Sequence, residues 1–372
     1  MATARLMTRP EDYAKLGIKE GMVEPWEDGR RDTPTPGHNE FWYFDGTMED
    51  GTKTVVGSRP VDPATAGDGT DSPNLNVNIT TPDGQEFVSM LRVPAEESSV
   101  GTDQCDVQFG PHYATGDLKN YDVYVEPVEG VGVDLHYEAL VEPYRAGGTS
   151  HIALGDNDEY YYTDQSIPRC RVTGTVTAEG KTWNVSGTGY HNHQWFNISP
   201  LVAWHHWLWG RFYTPNYTVV IYDFVASEKF GFARVPIFGV MDKTGKVIFD
   251  NRGETEVETT TYYDEQTKKA YPKSSTYVFH DDDATVKFNV TWTDIIEVRD
   301  MYGATADKDH YGMAGEQQRK AYDAMGSKPA YMRYYANSTL TMTNSEGTVE
   351  ESGDMTYEFN YPGVPDPRAH LG

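Results

Sequence analysis

Short glycine-containing turns recur along this chain, and they constrain its fold more than any other feature. The segments on both sides of each turn alternate between apolar and polar residues. Two such segments joined by a turn of this kind are typical of a β-hairpin. The turns are Pro82-Asp83-Gly84, Ala178-Glu179-Gly180, Lys243-Thr244-Gly245 and Asn344-Ser-Glu-Gly347. The pattern therefore predicts a meander of antiparallel strands.

The composition favours the same fold class. The chain has 26 tyrosines among its 372 residues, and aromatic and β-branched residues suit pleated strands better than helices. We therefore expect an all-β protein of closed barrels or sandwiches. One segment, residues 312–325, is rich in helix formers and is followed by Gly326 and Pro329, so it is predicted to be a helix that covers a barrel end or an opening.

Charge and segment composition exclude several classes of partner. The formal net charge is -26, which would repel the phosphates of nucleic acid and anionic membranes. No apolar run reaches the roughly 18 residues that a membrane helix requires, so no membrane insertion is expected. The first residues lack the apolar core of a signal peptide, which predicts a cytoplasmic location, or secretion if a signal was removed. The sequence leaves the oligomeric state open, as well as whether Cys105 and Cys170 pair.

Residues 187–223 concentrate the chemistry-bearing side chains. Four of the 11 histidines and four of the 8 tryptophans lie in this stretch. His191, His193 and Trp195 share a parity, so in a strand all three point to one face. Imidazoles beside indoles can move protons in a pocket that shelters an apolar substrate. The alternative is that the tryptophans fill a core and the histidines donate to backbone carbonyls.

These residues resemble a known family, the two-domain lipocalin-like proteins that include carotenoid 1,2-hydratases, fungal kievitone hydratase and several fungal Diels-Alderases. Two departures stand out: Asn192 occupies a position where the family commonly has Asp, and Phe196 one where it has Gly. An Asn side chain cannot act as a general acid. The motifs that carry the resemblance are Glu40-Phe-Trp-Tyr-Phe-Asp-Gly, Gly187-x-Gly-Tyr-His-Asn-His193-Gln-Trp195, Trp207-x-Trp-Gly-Arg211 and, weakly, Gly353-Asp-Met-Thr-Tyr-Glu.

The resemblance implies two packed antiparallel lipocalin-like domains, with a ligand pocket in or between them. We assign an N-terminal arm to residues 1–38, one domain to 39–199 and a second to 200–372. The resemblance also implies catalytic roles for residues that match the hydratases, and we add the nearby aromatic and cationic side chains as substrate contacts. The catalytic candidates are His193, Asp223, Tyr222 and His191, and the binding candidates are Trp195, Trp204, Trp207, Trp209, Trp42 and Arg211.

The leading hypothesis is a cofactor-independent hydratase or related lyase acting on a hydrophobic polyketide-, terpenoid- or phenolic-like molecule. Asp223, kept protonated by burial, would protonate an alkene, and indole faces would stabilise the resulting cation. The competing interpretation of Asp223 is a salt bridge, for example with Arg211, and that of Glu40 is a structural carboxylate.

Two other functions fit the same residues. One is an isomerase or pericyclase in which the pocket mainly folds its substrate; the other is a non-catalytic lipocalin-like carrier that releases its ligand unchanged. The chain contains neither a phosphate-binding GxxxxGK[ST] loop nor a GxSxG elbow, and we predict no cofactor. The His191-x-His193 pattern is common by chance, and the adjacent His205 and His206 are expected to point to opposite faces of a strand, so we predict no metal site.

Overall fold

The computed structural model describes residues 3–32, 35–62, 70–156, 158–252, 255–281, 284–302 and 315–364. The chain divides into two compact units. The N-terminal unit comprises Ala14–Arg145 and Tyr160–Ile198, and the C-terminal unit comprises Met1–Tyr13, Ala146–Glu159 and Ser199–Gly372. The predicted arm at residues 1–38 and the predicted domains 39–199 and 200–372 stay predictions.

The prediction of an all-β protein is confirmed, because each unit is built on a large curled antiparallel sheet. The strands are β1 (Ala4–Leu6), β2 (Asn39–Met48), β3 (Lys53–Arg59), β4 (Asn74–Thr80), β5 (Glu86–Arg92), β6 (Ser98–Val100), β7 (Cys105–Phe109), β8 (His112–Gly116), β9 (Asn120–Val128), β10 (Val131–Ala139), β11 (His151–Leu154), β12 (Glu159–Ala178), β13 (Lys181–Phe196), β14 (Trp204–Tyr213), β15 (Tyr217–Ala226), β16 (Arg234–Asp242), β17 (Val247–Asp250), β18 (Thr255–Asp264), β19 (Lys269–His280), β20 (Ala284–Asp300), β21 (Ala330–Asn344) and β22 (Gly347–Tyr361).

Helices are few in the described part of the chain. The α-helices are α1 (Pro10–Leu16), α2 (Pro200–Ala203) and α3 (Gly315–Met325). Short 3-10 segments lie at Pro25–Asp28, Ala95–Glu97, Ala146–Gly148 and Glu228–Phe230, and we call the first of these the 3-10 turn. α3 confirms the predicted helix from residue 315 onward, whereas residues 312–314 lie outside the described ranges. Among the described residues, no helix has the length and apolar character needed to cross a membrane.

The N-terminal unit has the strand order β5-β4-β3-β2-β13-β12-β10-β9-β8-β7-β6. Consecutive strands are mostly neighbours, as the hairpin turns predict, and the long strand β13 joins the two meanders by pairing with both β2 and β12. Inward-facing side chains such as Phe44, Val77 and Tyr137 fill its core. The candidate histidines therefore lie at the centre of this sheet.

The C-terminal unit has the strand order β17-β16-β15-β14-β22-β21-β20-β19-β18. Its core is packed with aromatic residues, among them Phe212, Phe238 and Phe288. Alternate residues of β14, namely Leu208, Gly210 and Phe212, are buried, whereas the residues between them are only partly buried. Trp207, Trp209 and Arg211 are therefore carried on the face of β14 opposite to the core.

Candidate functional site

Strand register brings the histidines of β13 against the aromatic residues of β2. His191 lies opposite Phe44, and His193 lies opposite Trp42. The rings stack in both pairs, with centroids 3.9 Å apart for His191 and Phe44 and 4.3 Å apart for His193 and Trp42. Both imidazoles have no exposed surface. The predicted common face of the histidines is thus confirmed, and it points into the core.

Two carboxylates reach these imidazoles from other parts of the chain. Asp28, at the end of the 3-10 turn, places its Oδ2 atom 3.1 Å from Nε2 of His191. Glu40 on β2 places Oε1 2.8 Å from Nε2 of His193. Both carboxylates are almost completely buried. We call the set of Asp28, Glu40, His191 and His193 the buried network.

The hydrogen-bond partners assign the ring protons of the buried network. The carbonyl oxygen of Tyr43 lies 3.0 Å from Nδ1 of His191, and because a carbonyl only accepts, Nδ1 carries a proton. Glu40 accepts hydrogen bonds from the backbone N–H groups of Arg31 and Asp32. Because a carboxylate only accepts, His193 donates to Glu40 through Nε2. These two backbone bonds agree with the interpretation of Glu40 as a structural carboxylate.

Asp28 is held in its charged form. Burial alone would raise the pKa of its carboxyl, but the charge and hydrogen bonding of His191, with smaller contributions from His193 and Tyr121, hold that pKa below its usual value. The Tyr121 hydroxyl donates to Oδ2, and the Ser166 hydroxyl donates to Oδ1 at 3.2 Å. Asp28 is therefore the point at which the buried polar groups of this unit converge.

Asp164 behaves in the opposite way. It lies on β12 directly opposite His193 and has no exposed surface. Neither carboxyl oxygen accepts a hydrogen bond of normal geometry. Burial, together with the nearby carboxylates of Glu27 and Asp28, raises the pKa of Asp164 well above its usual value. Asp164 is thus a buried carboxylic acid beside a charged Asp28, which is the environment that we expected for Asp223.

Trp195, the third member of the predicted face, lies at the side of the buried network. Its ring is 4.7 Å from that of His193 and stacks on Tyr162 at 3.6 Å. Trp195 is 7% exposed, and Trp42 is fully buried with its indole N–H donating to the Asp28 carbonyl. Both indoles therefore pack the buried network in place.

Asp223 lies in the C-terminal unit, and its contacts are those of an ion pair. Arg234 donates to both carboxylate oxygens, at 2.8 Å and 2.5 Å, and the Tyr277 hydroxyl donates to Oδ2 at 3.0 Å. The salt bridge that we weighed against catalysis is therefore present, but its partner is Arg234 rather than Arg211. A catalytic group of Asp223 with His193 stays a prediction.

The remaining predicted site residues lie around β14 and β15. Trp204 is fully buried and Tyr222 is 5% exposed, and both pack against Phe224 with ring centroids 4.6 Å and 5.2 Å away. Trp207 and Trp209 are half-buried, and Arg211 lies over the Trp209 ring at 5.0 Å.

Strand register extends the Trp207, Trp209 and Arg211 side of β14 into a patch across three strands. Residues paired across neighbouring strands share a face. The three rows of the patch are Trp207–Asn360–Tyr331, Trp209–Glu358–Arg333 and Arg211–Thr356–Tyr335. All nine side chains are half-buried or exposed. We call this set the outer patch, and it combines large aromatic surfaces with hydrogen-bonding groups, such as the Tyr331 hydroxyl that donates to Glu358 at 2.6 Å.

One local expectation is wrong. Adjacent residues in a regular strand point to opposite faces, yet Nδ1 of His205 lies 2.7 Å from Nδ1 of His206. The reason is a register shift between Trp204 and His206, a bulge that turns both side chains to the same region. Burial and the neighbouring His205 hold the pKa of His206 well below its usual value, which keeps this imidazole neutral.

Sequence reasoning missed Asp28, Asp164 and Tyr121. Asp28 lies 163 positions before His191, within a turn whose sequence, Pro-Trp-Glu-Asp, indicates only a helix start. No local signal marks Asp164, because its strand is rich in polar residues, among them the neighbouring Thr163 and Ser166.

The order of antiparallel strands within each curled sheet defines the class: this is a protein of the two-unit lipocalin-like fold. Three solved structures share it, all at sequence identities that show the fold alone. A putative AttH from Nitrosomonas europaea has a TM-score of 0.57 at 13% identity over 96% of this chain and 99% of its own. CghA with Sch210972 has a TM-score of 0.57 at 14% identity over 90% and 96%. Kievitone hydratase from Nectria haematococca has a TM-score of 0.52 at 14% identity over 92% and 94%.

The chain belongs to the Svf1 family, whose sequence model matches residues 83–342. A relative from Emericella nidulans, named ceramide-binding protein svf1, is 24% identical over 240 residues, which are 63% of this chain and 62% of the relative. A protein of the same name from Aspergillus fumigatus is 28% identical over 129 residues, 32% of each chain. The match thus spans less than two thirds of the length of these relatives. The hydratase-type resemblance holds for the fold, whereas the family is Svf1.

Proposed function

We propose that this protein is a non-catalytic carrier that binds a ceramide-like lipid, a molecule with long hydrocarbon chains and a small neutral polar head. The observation that carries the proposal is the outer patch, which offers aromatic surface and hydrogen-bonding groups side by side. Membership of a family with relatives named as ceramide-binding proteins supports it.

The chemistry of the outer patch suits an amphiphilic ligand. Trp207, Trp209 and the 45% exposed Tyr335 provide large apolar surfaces for hydrocarbon. Arg333 donates to the Tyr331 hydroxyl at 2.9 Å, and that hydroxyl donates to Glu358, so donors and acceptors lie between the aromatic rings. The amide and hydroxyl groups of a ceramide-like head would exchange hydrogen bonds with these groups. The predicted binding roles of Trp207, Trp209 and Arg211 are part of this proposal.

The buried network favours a carrier over a hydratase. A general acid or base must come within hydrogen-bond reach of the proton that it transfers. His191 and His193 have no exposed surface, and the ring nitrogens assigned as protonated already donate to Tyr43 and Glu40. Asp223 is occupied by Arg234. These contacts support a role for the predicted catalytic residues in holding the fold together.

Binding of a fluorescent ceramide tests the proposal, with two exposed tyrosines of the same sheet as a matched pair. Tyr335 lies in the outer patch on β21, and Tyr263, 53% exposed on β18, lies outside it. We expect Tyr335→Ser to weaken binding about tenfold, equivalent to ~1.4 kcal/mol, and Tyr263→Ser to bind like the wild type. Equal binding by both variants would exclude the outer patch, and no binding by the wild type would reject the carrier function itself.

A further inference from the structure

Three side chains of different chemistry meet inside the N-terminal unit. Asp28, Cys105 and His191 each offer one ligand atom, and these atoms lie within 4.8 Å of one another. The three residues come from the 3-10 turn, from β7 and from β13. Each is no more than 1% exposed. A carboxylate, a thiol and an imidazole in one buried place form a donor set that proteins use for zinc.

Two imidazole nitrogens face the Asp28 carboxylate at this place. Because Nδ1 of His191 donates to the Tyr43 carbonyl, Nε2 is the ring nitrogen that faces Asp28, 3.1 Å from Oδ2. Nδ1 of His193, with no hydrogen-bond partner, lies 3.5 Å from Oδ1 of Asp28. Two imidazole nitrogens therefore converge on one carboxylate, and the Cys105 thiol beside them adds the third kind of donor that a zinc site uses.

The surrounding groups hold the three ligand atoms in position. The Tyr43 carbonyl fixes the tautomer of His191, and Phe44 stacks on its ring. The Tyr121 and Ser166 hydroxyls donate to Asp28. Outer contacts of this kind, from a carbonyl to an imidazole and from hydroxyls to a carboxylate, orient metal ligands in proteins.

We propose that Asp28, Cys105 and His191 bind one Zn²⁺ ion. A thiolate, a carboxylate and a neutral imidazole balance the two positive charges of zinc, so the site carries no net charge, as burial requires. Zinc usually takes four ligands, and a water molecule would fill the fourth position. The unpaired Nδ1 of His193 can accept a hydrogen bond from that water.

Burial determines how the ion enters. Since none of the three ligands is accessible from the surface, zinc binds as the chain folds, and binding contributes to folding stability. Without the metal, the Cys105 thiol is close enough to donate to the Ala114 carbonyl, 3.6 Å away. The ion would therefore serve as a structural link between the 3-10 turn and the sheet.

The test is to refold the full chain with equimolar Zn²⁺, remove excess metal by gel filtration, and measure the zinc content. We expect one zinc ion per chain for the wild type. Cys105→Ser should lower the retained zinc at least tenfold, whereas Cys170→Ser, which changes the other fully buried cysteine of the same unit, should retain it. Equal retention by both variants, or none by the wild type, would overturn the proposal in favour of a shared proton between Asp28 and His191.

Cobalt provides a readout that does not depend on any variant folding. Refolding of the wild type with Co²⁺ should give the thiolate-to-metal absorption band that arises when a Cys sulfur is a ligand, and Zn²⁺ present during refolding should abolish it. Tyr121→Phe, which removes an outer contact to Asp28, should weaken metal affinity about 10- to 100-fold. A Co²⁺ spectrum without the thiolate band would exclude Cys105 as a ligand.

Discussion

Replacement of His193 by Ala separates a structural role for the buried network from a catalytic one. The imidazole has no exposed surface, stacks on Trp42 at 4.3 Å and donates to Glu40 at 2.8 Å. Losing a hydrogen bond to a charged group costs about 1.5–3 kcal/mol, and the space left by a buried ring costs about 2–4 kcal/mol. These effects overlap, because the same ring supplies both, so we expect His193→Ala to lower the free energy of unfolding by about 3–5 kcal/mol.

The assay is denaturant unfolding followed by circular dichroism and tryptophan fluorescence, with His136→Ala as the control. His136 belongs to the same unit and also pairs with a carboxylate, that of Asp122, but its side chain is 46% exposed. An exposed pair contributes less than about 1 kcal/mol. His193→Gln, whose amide can still donate to Glu40, should recover part of the loss. If His193→Ala unfolded within about 1 kcal/mol of the wild type, the structural role of the network would be refuted.

Three further substitutions test the charged groups. Asp164→Asn should raise the free energy of unfolding at pH 8 by at least about 1 kcal/mol, because the raised pKa of Asp164 makes the folded wild type bind an extra proton at that pH. The gain should shrink toward pH 4, where the unfolded chain binds that proton as well, and a gain independent of pH would contradict this account. Asp223→Asn should lower the unfolding free energy by about 3 kcal/mol, since it removes the negative charge that accepts two hydrogen bonds from Arg234. The folded fraction should still bind lipid, and unchanged stability would show that the ion pair contributes nothing. The hydrogen bond from Arg5 lowers the pKa of Asp12 to about 2, so Asp12 contributes stability that is lost as the pH falls from about 4 to 2. In Asp12→Asn the free energy of unfolding should therefore depend less on pH over that range, and the same pH dependence as in the wild type would contradict the prediction.

Local pattern was enough to predict the fold class, because hairpin turns and alternation act over a few residues. The strands flanking Gly84, Gly180, Gly245 and Gly347 form where the turns predict them. The parity of His191, His193 and Trp195 likewise predicted a shared face. These successes rest on the period of two in a strand, which is readable from sequence alone.

The partners of the candidate residues were not predictable in the same way. Asp28 meets His191 only because the 3-10 turn folds against β13, and no local pattern encodes a contact across 163 positions. The pairing of Asp223 with Arg234 arises from the register between β15 and β16. The His205–His206 contact requires a bulge that interrupts the alternation on which the prediction depended. Long-range contacts and irregular strands therefore account for most of what sequence reasoning missed.

The identity of the lipid after binding tests the central claim most directly. The purified protein is incubated with ceramide, the complex is isolated under native conditions, and the lipid is extracted and identified by mass spectrometry. A carrier returns intact ceramide, in a one-to-one complex, after long incubation. Recovery of a hydrated, isomerised or cyclised product, absent from a control without protein, would contradict the account and restore the hydratase or cyclase interpretation.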